Sequence, residues 1–300
     1  MKAFVNNNIF LAIVACLLWS TAFAGIKLGL PYTTPIQFAG VRFFLAGALL
    51  TPLAIRSGGF FTALKEHFSL IVWVSLTQTF ILYALFYWGI SMLPAGITAI
   101  TVGAQPLFVA LAAHFAMANE RMSIQKTFSI GLGLVGIVLI AVGKSMDAES
   151  GPKQVLGFIL LVASNLSSGI GNIIVSKQTK TASAVVLSSW QLMLGGSGLF
   201  VLSLFFEPFT GFVFPFPYYM ALAWLSSLSA MAFTIWFVLL QRPGIKVSDL
   251  NVWKFIIPVF GAILSWWVVP GESADTVSVI GMLVIGLSLL WYNLQARKRQ

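Results

Sequence analysis

Between Ser69 and Asn119 the chain runs for fifty-one residues without one Asp, Glu, Lys or Arg. As a single helix that stretch would be about 76 Å long, more than twice the hydrocarbon thickness of a bilayer. It therefore has to turn back on itself, and Pro94 marks the turn. In lipid every backbone polar group needs an internal partner, which leaves helices or a closed barrel, and the alternating polarity of barrel strands is absent. Over the whole chain 59% of residues are hydrophobic and 8% charged, against about 25% charged in a soluble domain. The sequence predicts an all-α membrane protein that crosses the bilayer many times.

The same reasoning along the chain gives ten transmembrane helices, at 8–29, 34–55, 68–92, 95–117, 124–143, 154–176, 181–206, 217–240, 247–269 and 277–295. With a cytoplasmic N-terminus, twelve cations lie inside: Lys2, Arg56, Lys65, Arg121, Lys126, Lys177, Lys180, Arg242, Lys246, Arg297, Lys298 and Arg299. Only Lys27, Lys144 and Lys153 lie outside. The bias places both termini in the cytoplasm and the chain in the cell membrane, the inner or cytoplasmic one in a bacterium. The net charge of +9 then reports topology and contact with anionic lipid heads, and no nucleic-acid partner is expected. Lys2, the apolar run from Ile9 and Ala22-Phe23-Ala24 resemble a cleaved secretory signal, but the internal repeat below requires the first span to stay.

That repeat is visible as PLFVALAAHFAMANE at 106–120 and PVFGAILSWWVVPGE at 258–272. Pro, Phe, Ala and Glu recur at the same places, as Pro106, Phe108, Ala110 and Glu120 and as Pro258, Phe260, Ala262 and Glu272. A shift of 149 residues also sets Gly47 on Gly196 and Arg42 on Gln191. The expected domains are 1–147, a first five-helix repeat, and 148–300, a second one. Five is odd, so the second enters the membrane inverted, and such repeats place a binding site near the midplane between the halves.

LLWSTAFAGIKL in the first span and PAGITAITVGAQPLFVALAAHFAMANERMSIQKTFSIGLGLVGIVLIAVG through the fourth and fifth resemble the EamA-type members of the drug/metabolite transporter superfamily. The likeness covers nearly the whole chain, more loosely in the second half, where SNLSSGIGN puts Ser168 opposite Trp19. It implies export or exchange of amino acids and other small metabolites through a cavity lined mainly by the third, fourth, eighth and ninth spans.

Individual residues sharpen that expectation. Pro106 and Pro258 each remove a backbone hydrogen bond inside a span, giving a kink near the midplane. Gln105 precedes the first proline, and Thr101 and Thr98 lie one and two turns earlier, forming a short polar stripe. Arg42 and Lys254 each sit about seven residues inside a span, where a charge costs at least about 2.5 kcal/mol unless it snorkels, pairs or faces water. No carboxylate lies within a span to pair with them; Asp249 is five residues from Lys254, a poor angle for pairing on a helix. They either snorkel to the interface or present positive charge to the cavity, where they attract a carboxylate. Tyr83 and Trp253 lie deeper than an interfacial belt requires and suit a substrate's apolar body. Gln78, Asn165, Asn172, Gln191 and Asn251 are intramembrane amides whose ordinary role is interhelical hydrogen bonding. Glu120 and Glu272 end two spans at opposite faces, where a carboxylate opposes the helix dipole. Pairing of Glu120 with Arg121 or Lys126 is the plain reading, and alternate gating is the sharper one.

Competing classes have thin support. Gly195-Gly196-Ser197-Gly198 matches the short G-x-S-G pattern of rhomboid-type proteases, with His114 as conceivable base, but Gly-rich spans produce it by chance and it reads as packing. Gly131, Gly133 and Gly136 with Gly281 and Gly286 read as close helix packing or as a homodimer face. Two histidines and one cysteine make no closed metal site, so no metal or other cofactor is expected. Lone Cys16 excludes an intrachain disulfide. A passive channel or a receptor is the alternative to a secondary transporter. Because no Asp or Glu lies inside a span and His114 is the sole other candidate, the chain reads as a facilitator or exchanger without proton coupling.

The topology is testable in a Cys16→Ser background. Single cysteines at Lys65, Arg121 and Lys180 should resist a membrane-impermeant thiol reagent in intact cells, while cysteines at Glu149 and Glu272 should label. Outside labelling of the first set would sink the inverted-repeat arrangement.

Overall fold

A computed structural model describes residues 7–93, 101–142, 152–178, 182–211, 213–268 and 276–297. Those residues form helices joined by turns and irregular segments, with no strand among them. The principal helices are α1 (Asn8–Gly29), α2 (Pro35–Arg56), α3 (Phe68–Ser91), α4 (Thr101–Ala116), α5 (Ile124–Val142), α6 (Pro152–Lys177), α7 (Ala184–Phe206), α8 (Phe216–Leu240), α9 (247–268) and α10 (Thr276–Arg297). Six of them, α1, α2, α3, α6, α7 and α8, are long and apolar enough to cross a membrane, and α4, α5 and α10 contain shorter apolar segments. This is the architecture of a multi-pass membrane protein.

Local chemistry explains where the helices start. Asn7 caps α1 by accepting from the Ile9 and Phe10 amides at 3.0 and 3.2 Å, as its short carbonyl side chain favours. Pro35 occupies the first turn of α2, where its missing N–H costs nothing. Ser183 caps α7 through the Val186 amide. One element was not anticipated, the short helix Phe60–Glu66 between α2 and α3. The Phe60 ring stacks on Trp190 of α7 at 4.5 Å, and the Trp190 indole donates to the Phe60 carbonyl.

Polarity is arranged from the inside outwards. Gln78, Asn165, Asn172, Gln191 and Asn251 are all buried, whereas Leu49, Leu204, Leu283 and Leu287 face outward. That inversion is what hydrocarbon demands, since an apolar surface costs nothing there and an unpaired amide costs several kcal/mol.

Glycines set the closest approaches. On α7 a Cβ at Gly196 would meet the Phe44 amide and, at 2.9 Å, the Gly40 carbonyl, and one at Gly47 would meet the Ser189 carbonyl at 2.5 Å. α2 and α7 therefore touch backbone to backbone, and Ser189 donates across the seam to the Gly47 carbonyl at 2.8 Å. Between α5 and α10, Gly136 faces the Gly281 carbonyl and Ser288 donates to the Ser129 carbonyl. Gly133 packs on the Phe255 ring. Gly131 and Gly286, by contrast, have open space around them, so packing inside the chain accounts for only part of that glycine set.

The packing pairs follow a rule. α2 lies on α7, α5 on α10 and α4 on α9; α1 lies on α8 and α9, and α6 on α3 and α4; α2 meets α8, and α7 meets α3. Exchanging each helix for the one five places away reproduces the same set.

Gly196→Leu should overpack the α2–α7 seam against backbone that cannot swing aside, a cost of about 1–3 kcal/mol or more. Thermal unfolding of the purified protein should show a midpoint several degrees lower, with Gly131→Leu unchanged as control. Equal midpoints would show that the seam is looser than its geometry.

Candidate functional site

Three helices break their regular hydrogen bonding, and all three breaks border one cavity. α3 widens into a π-turn at Leu76–Phe80, a feature frequent at functional sites. α4 turns at Ala104 and restarts as Gln105–Ala116. α9 tightens to a 3-10 turn at Trp253–Phe255 before continuing as Ile256–Val268. The prolines explain the last two. Pro106 and Pro258 cannot donate to the carbonyls four residues back, of Val102 and Lys254, and their rings crowd those carbonyls. The helix yields just before each proline, so the breaks fall slightly N-terminal to the kinks read from sequence. Neither proline lines the cavity, but their neighbours Val102, Gln105, Lys254 and Ile257 do.

α6 supplies the hydrogen bonds that these breaks need. Ser167 donates to the Thr77 carbonyl and Ser164 to the Leu82 carbonyl, both at 2.8 Å. Asn165 donates to the Thr101 carbonyl at 2.7 Å. Gln78 donates to the Ser168 carbonyl at 3.2 Å and to Asn172 Oδ1 at 2.8 Å, and Asn172 passes the chain on to Asn251 Oδ1 at 3.1 Å. Thr79 donates to Gln191 Oε1 at 2.5 Å. The five amides thus do what an amide inside a bilayer ordinarily does, joining helices.

The cavity encloses about 140 Å³. Its wall brings together Arg42 of α2, Gln78 and Tyr83 of α3, Gln105 of α4 and Lys254 of α9, all of them sequence candidates. Both cations are turned inward, Arg42 at 3% and Lys254 at 9% exposure, so neither snorkels to the interface. Each lies against aromatic faces. The Arg42 guanidinium is 4.3 Å from the Phe43 ring centre and 5.7 Å from that of Tyr83. The Lys254 ammonium is 4.7 Å from Trp236 and 5.3 Å from Trp19. A cation over an aromatic face gains about 0.5–2 kcal/mol. Two faces per cation recover a good part of the roughly 2.5 kcal/mol or more that a charge costs in hydrocarbon, and no Asp or Glu is among the lining residues.

Other candidates fall elsewhere. Thr101 is buried beside the wall and Trp253 packs into the adjoining core, but neither lines the cavity. Thr98 and Glu272 lie outside the described residues. Asp249 does not reach Lys254; it pairs with Lys126 at 2.7 Å. Sequence reasoning missed the pairing of Trp19 with Trp236 and the contributions of Ser164 and Ser168. The repeat held a clue, since it sets Ser168 opposite Trp19, and both line the wall.

Glu120 does something its own helix does not explain. Its carboxylate accepts from the Val247 and Ser248 amides at 2.6 and 2.9 Å and from the Ser248 hydroxyl at 2.5 Å. It therefore caps the positive end of α9 rather than pairing with Arg121 or Lys126, and Lys126 instead donates to Ser248 Oγ at 2.7 Å. Glu207, at the end of α7, treats α2 in the same way, accepting from Ile36 at 3.0 Å and from Gln37 at 3.0 Å. Each cap joins the two halves of the sequence, and each capped helix carries a cavity cation about two turns further on. His114, away from the wall, accepts from the Met122 amide at 3.1 Å. Ser197 lies exposed on the outer face of α7, beside glycines that pack on Thr79 and Phe44.

Comparison with known proteins agrees with this picture. Residues 6–142 match the EamA-like transporter family. The uncharacterised transporter YoaV of Bacillus subtilis (strain 168) is 26% identical over 94% of this chain and 96% of its own. A probable amino-acid metabolite efflux pump of Escherichia coli (strain K12) is 28% identical over 66% of this chain and 64% of its own. An S-adenosylmethionine/S-adenosylhomocysteine transporter of Chlamydia trachomatis (serovar L2) is 24% identical over 97% of this chain and 91% of its own. A protein of known crystal structure superimposes with a TM-score of 0.82, covering 98% of both chains at 18% identity. That last likeness is one of fold alone.

Proposed function

We propose that this chain, a membrane transporter of the EamA type, carries a small organic metabolite, an amino acid or a related carboxylate, by alternating access through the cavity between its two halves. One observation carries the reading. Helices α1 to α4 of the first half and α6, α8 and α9 of the second enclose a single cavity with two inward cations and no lining carboxylate. The relatives named as a probable amino-acid metabolite efflux pump and as an S-adenosylmethionine/S-adenosylhomocysteine transporter are named for metabolites that carry a carboxylate, which supports the substrate class.

In this reading the chain is two inverted five-helix repeats, 1–147 and 148–300, with ten membrane crossings, both termini in the cytoplasm and the cell membrane as its site. The helix exchange rule of the packing supports the repeat. Arg42 and Lys254 hold the acid group, Tyr83 flanks its apolar body, and Gln78 and Gln105 supply polar contacts. The gates are the caps that cross between halves, Glu120 on α9 and Glu207 on α2. Glu272, the repeat counterpart of Glu120, is the further gating candidate. The substrate gradient sets the direction, because the cavity wall offers no carboxylate to carry a proton and His114 is engaged with the Met122 amide.

Counterflow in proteoliposomes, with labelled phenylalanine and methionine and their deaminated acids, tests the reading. At least one should show saturable counterflow, and Lys254→Met should lower it at least tenfold with protein abundance unchanged, since Met keeps much of the apolar stem and removes the charge. Flux that never saturates would instead describe a channel.

Energy coupling needs a separate measurement. A pH gradient imposed without a substrate gradient should drive no accumulation of the counterflow substrate. Accumulation that His114→Gln abolishes would establish proton coupling and remove the facilitator mechanism.

A further inference from the structure

We infer that the cavity selects organic acids that carry no cationic group, and rejects zwitterionic amino acids because its own lysine and arginine already occupy the aromatic faces an ammonium would need. The inference rests on the cavity being the substrate site, as proposed above.

An ammonium entering a dry aromatic pocket is held by the electron-rich faces of its rings. Trp19 and Trp236 form such a pocket, with ring centres 5.2 Å apart and planes inclined at 66°, and Phe233 closes one side against Trp19. Lys254 fills it. Phe43 and Tyr83, 4.3 Å apart, form a second aromatic surface, and Arg42 lies over it. A ligand ammonium would find both surfaces taken and would meet two like charges with no lining carboxylate to offset them. In a low-dielectric cavity that repulsion is weakly screened.

The hydrogen-bonding inventory points the same way. Two of the three wall amides spend donors within the protein, Gln78 on Ser168 and Asn172, and Asn165 on Thr101. Among the fully enclosed side-chain atoms of cavity-lining residues, those without a partner are Nε and Nη1 of Arg42, the Tyr87 hydroxyl and Nε1 of Trp236. Every one of these can donate, and three can only donate. The enclosed groups still seeking a partner are donors, and a carboxylate brings two acceptor oxygens with one negative charge. A carboxylate on an aromatic or aliphatic body matches both the charge and the surrounding Phe86, Phe233 and Tyr83 rings.

Three probes share one skeleton and differ in charge: 3-phenylpropanoate, phenylalanine and phenethylamine. Calorimetric titration of the whole chain in lipid nanodiscs should show 3-phenylpropanoate binding at least tenfold more tightly than phenylalanine, with phenethylamine weakest. Lys254→Met should weaken the acid at least tenfold and, by emptying the tryptophan pocket, strengthen phenethylamine. Lys254→Arg, which keeps the charge, should retain the preference for the acid and guards against mere misfolding. Phenyl phosphate as a fourth probe separates acid headgroups; its binding in place of 3-phenylpropanoate overturns the carboxylate assignment. Phenylalanine or phenethylamine binding as tightly as the acid overturns the inference while leaving a transporter at this cavity intact. Acid binding that Lys254→Met leaves unchanged, or no binding of any probe, overturns the cavity as the substrate site as well.

Discussion

A bilayer offers no water to an unpaired carbonyl, so a transmembrane helix can be broken only where a neighbour completes its hydrogen bonds. α6 is that neighbour. Its Ser164, Asn165 and Ser167 side chains reach the carbonyls of Leu82, Thr101 and Thr77, which lie around the π-turn of α3 and the turn of α4. Each such bond is worth only about 0.5–1.5 kcal/mol net, but its absence would strand a buried polar group at a cost of about 1–3 kcal/mol. The polar run of α6 is thus what permits irregular backbone at membrane depth, and the cavity exists because the irregular backbone does.

The cavity's charge follows from a second accounting. Two cations enter a wall that holds no carboxylate, and aromatic faces supply only part of the compensation. A structural ion pair would have been closed by an acid from a neighbouring helix, and here the nearby acids are spent elsewhere, Asp249 on Lys126 and Glu120 on the α9 amides. In the proposed function the positive charge is left for the substrate. Pro258 contributes indirectly, since the 3-10 turn that precedes it contains Lys254.

Much of this was legible in the residues. The helical class followed from the long charge-free stretch, and the importance of Arg42 and Lys254 followed from charges with no partner in the same spans. The repeat register of 152 residues, taken from Pro106 and Pro258, sets Val102 on Lys254 and Gln105 on Ile257, and all four line the wall. What could not be read was which side chains meet across helices. Trp19 and Trp236 are 217 positions apart, and their enclosure of Lys254 depends on how α1, α8 and α9 pack. Glu120 misled for a related reason. A carboxylate at a helix C-terminus looks unfavourable along its own helix, and its favourable partner is the N-terminus of a helix from the other half. The π-turn at Leu76–Phe80 had no proline to announce it.

The caps link the site to the motion that alternating access requires. Breaking either one exposes a carboxylate and two amides at a helix end, where water can reach them once the halves part. The net cost there is about 1–2 kcal/mol, within reach of thermal fluctuation, whereas the same groups at midplane would be trapped. Arg42 stands seven residues beyond Pro35, and Lys254 seven beyond Val247. Each cap therefore restrains the very helix that carries a cavity cation. If α9 swings when Glu120 lets go, Lys254 moves with it and its place between Trp19 and Trp236 changes; if α2 swings when Glu207 lets go, Arg42 moves against Phe43 and Tyr83. An anion bridging the two cations would resist either displacement taken alone and favour a concerted one. In the mechanism proposed above, that is how the substrate itself would lower the barrier between the two faces.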